Sequence, residues 1–239
     1  MIVSVHQPQY IPWLGYFDKI AKSDCFIFLD CVQYKTREFQ NRNKIRTDRG
    51  WSWLTVPVVS QGKSRQKISE VYINNELPWK RQHLNSWKSW YGRAEFFDAY
   101  FPFLEDTYGR EWNRLIDINV HIIMYILKQL AIPTKIYFES AFDVQAIKTE
   151  RIIELCKKIK ATTYLSGAGG KAYLEEERFY KEGIALAYQH FNHPVYPQLF
   201  QTHDSDFIPY LSVWDLLFNV GNRSRTVLTA EDEDLLRPQ

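Results

Sequence analysis

The chain has 239 residues, of which 45% are hydrophobic and 24% charged, and it carries a net charge of +2 at pH 7. These figures suit a globular chain that buries one large core, and the charge does not indicate a nucleic-acid binder, although an anionic small ligand fits it. Residues 1–5 lack the charged start and long apolar run of a signal peptide, and no apolar stretch reaches the roughly 18 residues that span a bilayer, so a soluble, cytoplasmic protein is expected.

Met1 to Val5 reads as a strand that runs into a polar, aromatic segment, His6-Gln7-Pro8-Gln9-Tyr10-Ile11-Pro12-Trp13-Leu14-Gly15-Tyr16. A helix pattern covers Phe17 to Lys22, and a second apolar strand runs from Cys25 to Leu29 and ends on Asp30. Trp51 to Val58 alternates and is rich in β-formers, which predicts a third strand. Ser60 to Gln66 reads as a loop, Ile68 to Ile73 as a short strand, and Pro78 as the opening of a helix over Trp79 to Tyr91. Phe96 to Tyr108 and Glu111 to Leu130 continue as helices, making a helical insertion at about residues 77–131. Alternation then resumes, with a strand at Lys135–Phe138, a helix at Thr149–Ile159 and a strand at Thr162–Leu165. A glycine turn, a helix at Ala172–Lys181 and a strand at Ile184–Phe191 follow. A last helix over Leu211 to Asn219 ends at Gly221 as a C-cap, and Glu231 to Gln239 is expected to fray. Strands alternating with helices predict an open, mostly parallel α/β sheet of Rossmann or nucleotidyltransferase type, in one domain over residues 1–239.

Such sheets bind ligands at the carboxyl ends of their strands. His6 leaves one such end with Gln7, Gln9 and Tyr10 directly behind it, and an imidazole there suits phosphate stabilisation or proton transfer. The plain alternative is a histidine that only shapes the turn. Asp30, Gln33, Tyr34 and the run Gln40-Asn41-Arg42-Asn43-Lys44 form the densest polar cluster; amide and guanidinium groups suit fixed hydrogen bonds to a sugar, carboxylate or phosphate, although a solvated loop would look similar. Ser166-Gly167-Ala168-Gly169-Gly170-Lys171 joins a strand to a helix, where exposed N–H groups and the helix dipole favour an anion. Asn222 and Arg223 lie in a basic stretch after the last helix, which a solvated cap also explains. Tyr196 and Gln198 could add a pocket wall. Cys25, Cys31 and Cys156 match no metal-ligand spacing; Cys25 and Cys156 read as reduced core residues, and no structural metal site is expected. His121 reads as a core or interface histidine.

The same residues resemble the WbqC-like family of bacterial proteins: Val5 to Tyr10 with Pro12 to Phe17, Phe28-Leu29-Asp30 with Val32-Gln33-Tyr34, Phe39 to Asn43, Leu54 to Val58, Tyr164 to Gly167, and Ser212 to Gly221. That resemblance implies a place in the biosynthesis of O-antigen and other surface polysaccharides, some of which carry amino sugars acylated by an amino acid. A fainter resemblance links the chain to pantothenate synthetase, through the strand-loop-helix and the Gln33-Tyr34 pair. Nucleotidyltransferases of that class place a His-x-Gly-His motif where this chain has Trp13, Gly15 and Tyr16, so only the glycine is shared.

The resulting expectation is an amide-forming transferase or ligase that attaches an aminoacyl group, such as glycyl, to the amine of a nucleotide-linked amino sugar. ATP with Mg²⁺, or a donor already activated on tRNA or another carrier, would supply the acyl group. His6, Asp30, Arg42 and Lys44 would act in catalysis, with Asp30 holding the amine or the metal. Gln33, Gln40, Asn41 and Asn43 would orient the acceptor, and Gly15, Tyr16 and the Ser166–Lys171 turn would face the nucleotide. His6, Asp30 and Ser166 should share one cleft, closed over by Gln40 to Lys44 and walled by Trp13 and Tyr16. The alternatives are a nucleotidyltransferase acting on a sugar phosphate and a non-catalytic nucleotide-sugar-binding protein. A homodimer is left open.

Overall fold

The computed structural model of the chain describes residues 1–60, 62 and 65–235, so parts of the Ser60–Gln66 loop and of the Glu231–Gln239 tail lie outside the described residues. Five parallel strands make the central sheet: β1 (Ile2–His6), β2 (Cys25–Phe28), β5 (Lys135–Phe138), β6 (Thr163–Ser166) and β7 (Ala185–Tyr188), in the order β5-β2-β1-β6-β7. The register pairs His6 with Phe28 and Ser166 with Tyr188, so the strand ends are aligned. From β1 the chain winds outward through β2 to β5, then returns to place β6 on the other flank of β1. The order therefore reverses between β1 and β6, and helices crossing to opposite faces leave a crevice there.

Both faces of the sheet are covered. Side chains alternate across a strand, and on β2 Phe26 and Phe28 join one core while Cys25 and Ile27 join the other. The first core packs α1 (Leu14–Ala21), α2 (Trp79–Tyr91), α3 (Phe97–Gly109), α4 (Leu115–Gln129) and α7 (Val213–Val220), with Trp79, Trp87 and Trp214 fully enclosed. The second packs α5 (Lys148–Lys158) and α6 (Glu176–Lys181) against Val3, Val5 and Ile27. Helices α2 to α4 occupy the expected helical stretch. α7 stops at Gly221, whose φ of +65° suits glycine and whose Cβ would lie 2.3 Å from the Phe96 ring, so no side chain fits. A further helix, α8 (Ser224–Leu235), follows and takes in the start of the tail expected to fray.

Four expectations need correction. The strand expected at Trp51–Val58 is β4 (Gly50–Thr55), and it lies outside the main sheet, in an antiparallel hairpin with β3 (Arg42–Thr47). Reading the polar run through Lys44 as loop missed β3, because Asn43 and Ile45 face inward and are buried while Arg42 and Lys44 face outward, an alternation masked by a buried asparagine. Ile68–Ile73 is a short 3-10 turn at Ile68–Glu70 with isolated bridges rather than a strand. The glycine turn continues as a 3-10 turn, Ala168–Ala172, and α6 starts only at Glu176, so no long helix dipole points at it. Among the described residues no helix is long and apolar enough to cross a membrane.

Candidate functional site

The loop from His6 to Trp13 is bent by a rare backbone geometry. Ile11 has a φ of +41°, which a β-branched residue adopts only under constraint. The constraint comes from buried amides. Asn43 Nδ2 donates to Ile11 O at 2.9 Å, and Asn119 Nδ2 donates to Gln40 O at 2.8 Å and Pro8 O at 3.4 Å. The Tyr10 amide bonds Phe39 O at 3.0 Å, and the Val213 amide bonds Pro12 O at 2.9 Å. Strain held this firmly keeps His6, the last residue of β1, and Gln7 at a fixed place at the sheet's carboxyl edge.

Beside that loop, at the reversal between β1 and β6, lies a cleft of about 490 Å³. His6, Gln7, Trp13, Gly15, Tyr16, Ser166, Gly167, Gly169 and Gly170 all border it, so residues distant in sequence meet there. Its floor holds a residue the sequence reading missed. Lys19, on the inner side of α1, reaches His6 Nδ1 at 3.1 Å and donates to Val5 O at 3.2 Å. Burial lowers the Lys19 amine to about 7. Burial first, and the Lys19 charge second, hold His6 well below the ordinary imidazole value. Both groups are therefore available in neutral form near pH 7. His6 stacks on the Tyr16 ring at 5.1 Å, and its Nε2 makes no hydrogen bond to the described residues. The signal for Lys19 was present in the sequence. Asp18 and Lys19 are the two charged residues in an otherwise apolar eight-residue helix, and in a helix this enclosed a charge is rare without a partner.

The glycines of the cleft divide by purpose. A Cβ on Gly170 would lie 2.0 Å from Ser166 Oγ, so this glycine makes room for Ser166. Gly169 faces open space, and a Cβ on Gly167 would lie 3.8 Å from Lys19 Nζ, in ordinary contact. A Cβ on Gly15 would meet the Trp13 indole at 2.2 Å. The indole itself covers the face expected to receive a nucleobase. Trp13 also packs edge-on against Phe191 and Tyr210, which close that side of the cleft. Gln189 Nε2 ties this wall to α1 through Gly15 O at 2.8 Å and Asp18 Oδ2 at 2.6 Å.

A second, polar compartment of about 230 Å³ shares His6 and Gln7 with the cleft and is bordered further by Gln9, Lys35, Glu38, Phe39 and Gln40. Gln9 is buried and its Oε1 has no partner. Gln40 fixes the rim by accepting the Lys35 amide at 2.9 Å. His6 and Gln7 thus stand between two chambers.

The remaining expected site residues serve other ends. Asp30 leaves β2 toward β5, where its Oδ1 accepts the Ser140 amide at 3.0 Å, and it borders neither chamber. The single cleft expected to join His6, Asp30 and Ser166 therefore holds only His6 and Ser166. Asp30, Cys31 and Glu139 have ligand atoms within 4.8 Å of one another, but Glu139 is already ion-paired with Arg151 at 2.7 Å. Tyr10 is fully buried, bonded to His83 Nδ1 at 2.8 Å and to Tyr108, so it anchors the helical part instead of touching a ligand. Gln33 bridges to Lys67, and burial raises the enclosed Tyr34 phenol to about 12. Asn41 donates to Val56 O at 2.9 Å and, like Asn43, braces backbone. Arg42 and Lys44 lie over tryptophan rings on the outer face of the hairpin instead of closing over the cleft. Lys171 rests on the Tyr188 ring at 5.2 Å, and Asn222 and Arg223 are exposed in the turn after α7. Gln198 donates to the buried Asp215 at 2.8 Å, with Tyr91 donating to the other oxygen at 2.9 Å and Tyr196 beside them. Burial, opposed by these bonds, raises Asp215 to about 6. His121 packs on Phe103 and Trp112, as its apolar helix implied.

Comparison with known proteins matches residues 7–227 to the model of the WbqC-like protein family. A relative, "Uncharacterized protein Rv1507c" of Mycobacterium tuberculosis, is 35% identical over 237 residues, covering 98% of this chain and 97% of that protein. No solved structure matches the chain.

Proposed function

The chain belongs to the WbqC-like protein family, and we propose that it is an amide-forming transferase that moves an activated aminoacyl group onto the amine of a nucleotide-linked amino sugar for a surface polysaccharide. One observation carries this reading. A histidine and a lysine, both shifted toward their neutral forms, share a hydrogen bond where an aromatic-walled cleft meets a smaller polar chamber.

An amine becomes acylated only after it loses a proton, so the site needs a base that is free near neutral pH. With Lys19 neutral, its lone pair accepts from His6 Nδ1–H, and Nε2 is left open to receive a proton. The acceptor amine then attacks the acyl carbonyl carbon. A C–N bond forms, the C–O bond to the carrier breaks, and the amine proton passes to His6 Nε2 as Nδ1–H moves to Lys19. The same proton returns to the departing oxygen, and the pair is restored. Phosphates of the sugar nucleotide lie along the Gly167–Gly170 side of the larger cleft, and the acyl donor enters the smaller chamber. The Trp13 indole over Gly15 and the engagement of Asp30 with Ser140 favour a donor that arrives activated. Gly15 and Asp30, two of the residues expected to hold ATP and Mg²⁺, are engaged with Trp13 and Ser140, and the step uses neither ATP nor metal.

The test is mass spectrometry of reactions containing the purified protein, a panel of nucleotide-linked amino sugars, and glycine supplied free with ATP, as a thioester or on tRNA. The expected result is an amide product that requires His6 and Lys19. If no combination yields an amide, the reading is wrong; pyrophosphate release from sugar phosphates would favour nucleotidyl transfer, and ligand-induced stabilisation without turnover a binding protein.

A further inference from the structure

The outer face of the β3–β4 hairpin carries a structure that the cleft chemistry does not use. The register sets Lys44 opposite Trp53, with Arg42 two residues before Lys44 and Trp51 two residues before Trp53, so basic and aromatic side chains lie together on one face. The Arg42 guanidinium lies over the Trp53 ring at 4.2 Å, and Lys44 Nζ lies over Trp51 at 4.5 Å and Trp53 at 5.7 Å. Trp51 and Trp53 are 5.5 Å apart, and Phe39 continues the row 6.0 Å from Trp53. Phe39 also borders the smaller chamber, so the row leads from the surface to His6 and Gln7. Trp51 remains 45% exposed and Phe39 37%, an expensive position for large rings unless something covers them.

The charge is concentrated here as well. Lys35, Arg37, Arg42, Lys44, Arg46 and Arg49 face only Glu38 and Asp48 in the same stretch, a local surplus larger than the net +2 of the whole chain. Of these, Arg46 is spent inside on Leu199 O and Phe200 O. The others stay half-buried or exposed. Rings for stacking beside cations for phosphates are the two parts of a single-strand nucleic-acid surface. A neutral saccharide would use the rings and leave the cations without purpose.

We propose that this hairpin face binds the single-stranded end of an RNA, and that the acyl donor of the reaction is an aminoacyl ester on that RNA, delivered past Phe39 into the smaller chamber. The proposal rests on the amide-forming reading for its chemistry, but the RNA surface stands or falls by itself.

The probe is a fluorescein-labelled, single-stranded RNA dodecamer ending in CCA, followed by anisotropy at several salt concentrations. Saturable binding is expected, with a log–log salt slope of about −2 for roughly three neutralised phosphates. Trp51→Ala should weaken it about tenfold by removing a stacking face, and Lys44→Gln should flatten the slope by about 0.7. Both positions are on the outer face, and melting curves verify that each variant is folded. Absence of saturable binding up to about 100 μM RNA at low salt, where phosphate contacts are strongest, would overturn the proposal. So would binding that Trp51→Ala leaves unchanged, or a neutral oligosaccharide that displaces the RNA from that face. Amide formation from a thioester without RNA binding would sink only the RNA proposal; RNA binding without amide from any donor would sink the amide-forming reading and the role of that RNA as donor, and leave the RNA surface standing.

Discussion

Two polar groupings lie against the same loop and do opposite things. Asn43 and Asn119 send their amide groups to the carbonyls of Ile11, Pro8 and Gln40, and hold a strained backbone in place. His6 and Lys19 share a hydrogen bond but remain shifted away from their charged forms by burial. The first grouping adds stability. The second is held off its charged forms at a cost in stability, a feature that functional sites often share. Buried polarity alone does not identify such a site; what distinguishes the two is that burial in the second pushes titratable groups off their charged forms, whereas the amides of the first carry no charge to lose.

The contrast can be broken most sharply at His6. His6→Asn should lower amide formation by roughly 10²–10⁴-fold while moving the melting temperature little, measured by steady-state kinetics beside calorimetry. Loss of fold with loss of activity would place His6 with the bracing asparagines. Next in size is Asn43→Leu, which leaves Ile11 O and the Lys44 amide without their side-chain partner. It should cost about 2–3 kcal/mol in urea denaturation, and a change under about 0.5 kcal/mol would mean that the loop holds its bend unaided.

Lys19→Met should act in the other direction. Because burial lowers Lys19 to about 7 from an ordinary 10.5, the folded state binds fewer protons than the unfolded state between those values. Wild-type stability should therefore gain a rising component as pH increases through that window. Removing the amine should raise stability at pH 7 by up to about 4 kcal/mol, less what the lost hydrogen bonds to His6 and Val5 O contribute, remove that rising component, and abolish turnover. A destabilised variant with an unaltered pH profile would show that Lys19 is a structural hydrogen-bond donor and nothing more.

The smallest effect separates two adjacent glycines. Gly170→Ala meets Ser166 Oγ and should cost about 1–3 kcal/mol, as overpacking does. Gly169→Ala enters open space and should leave stability within about 0.5 kcal/mol, while weakening sugar-nucleotide binding in calorimetric titration. Equal effects at both positions would remove the distinction between packing and binding glycines in this turn.

Much of the site was legible because it follows from topology. Two strands that end in His6 and Ser166 were readable from apolar runs, and a parallel sheet brings such ends to one edge. Asp30 misled for a related reason: β2 also ends at that edge, but on the flank toward β5, and strand order is set by long-range pairing that no local pattern records. Arg42 and Lys44 were read as ligand contacts because their density of donors is real, yet the pairing with Trp53 and Trp51 turns them outward.

The sequence by itself determined the alternation of strands and helices, the apolar faces that wrap both sides of the sheet, and the stop at Gly221, because each depends on periodicity or on backbone freedom at one residue. The tertiary structure alone decided which polar groups are satisfied. Asn43 found a carbonyl 32 residues away and Lys19 a histidine 13 residues away. Whether a buried amide braces the fold or a buried amine loses its charge depends on those distant partners and on the water they exclude, and neither is encoded within a single segment.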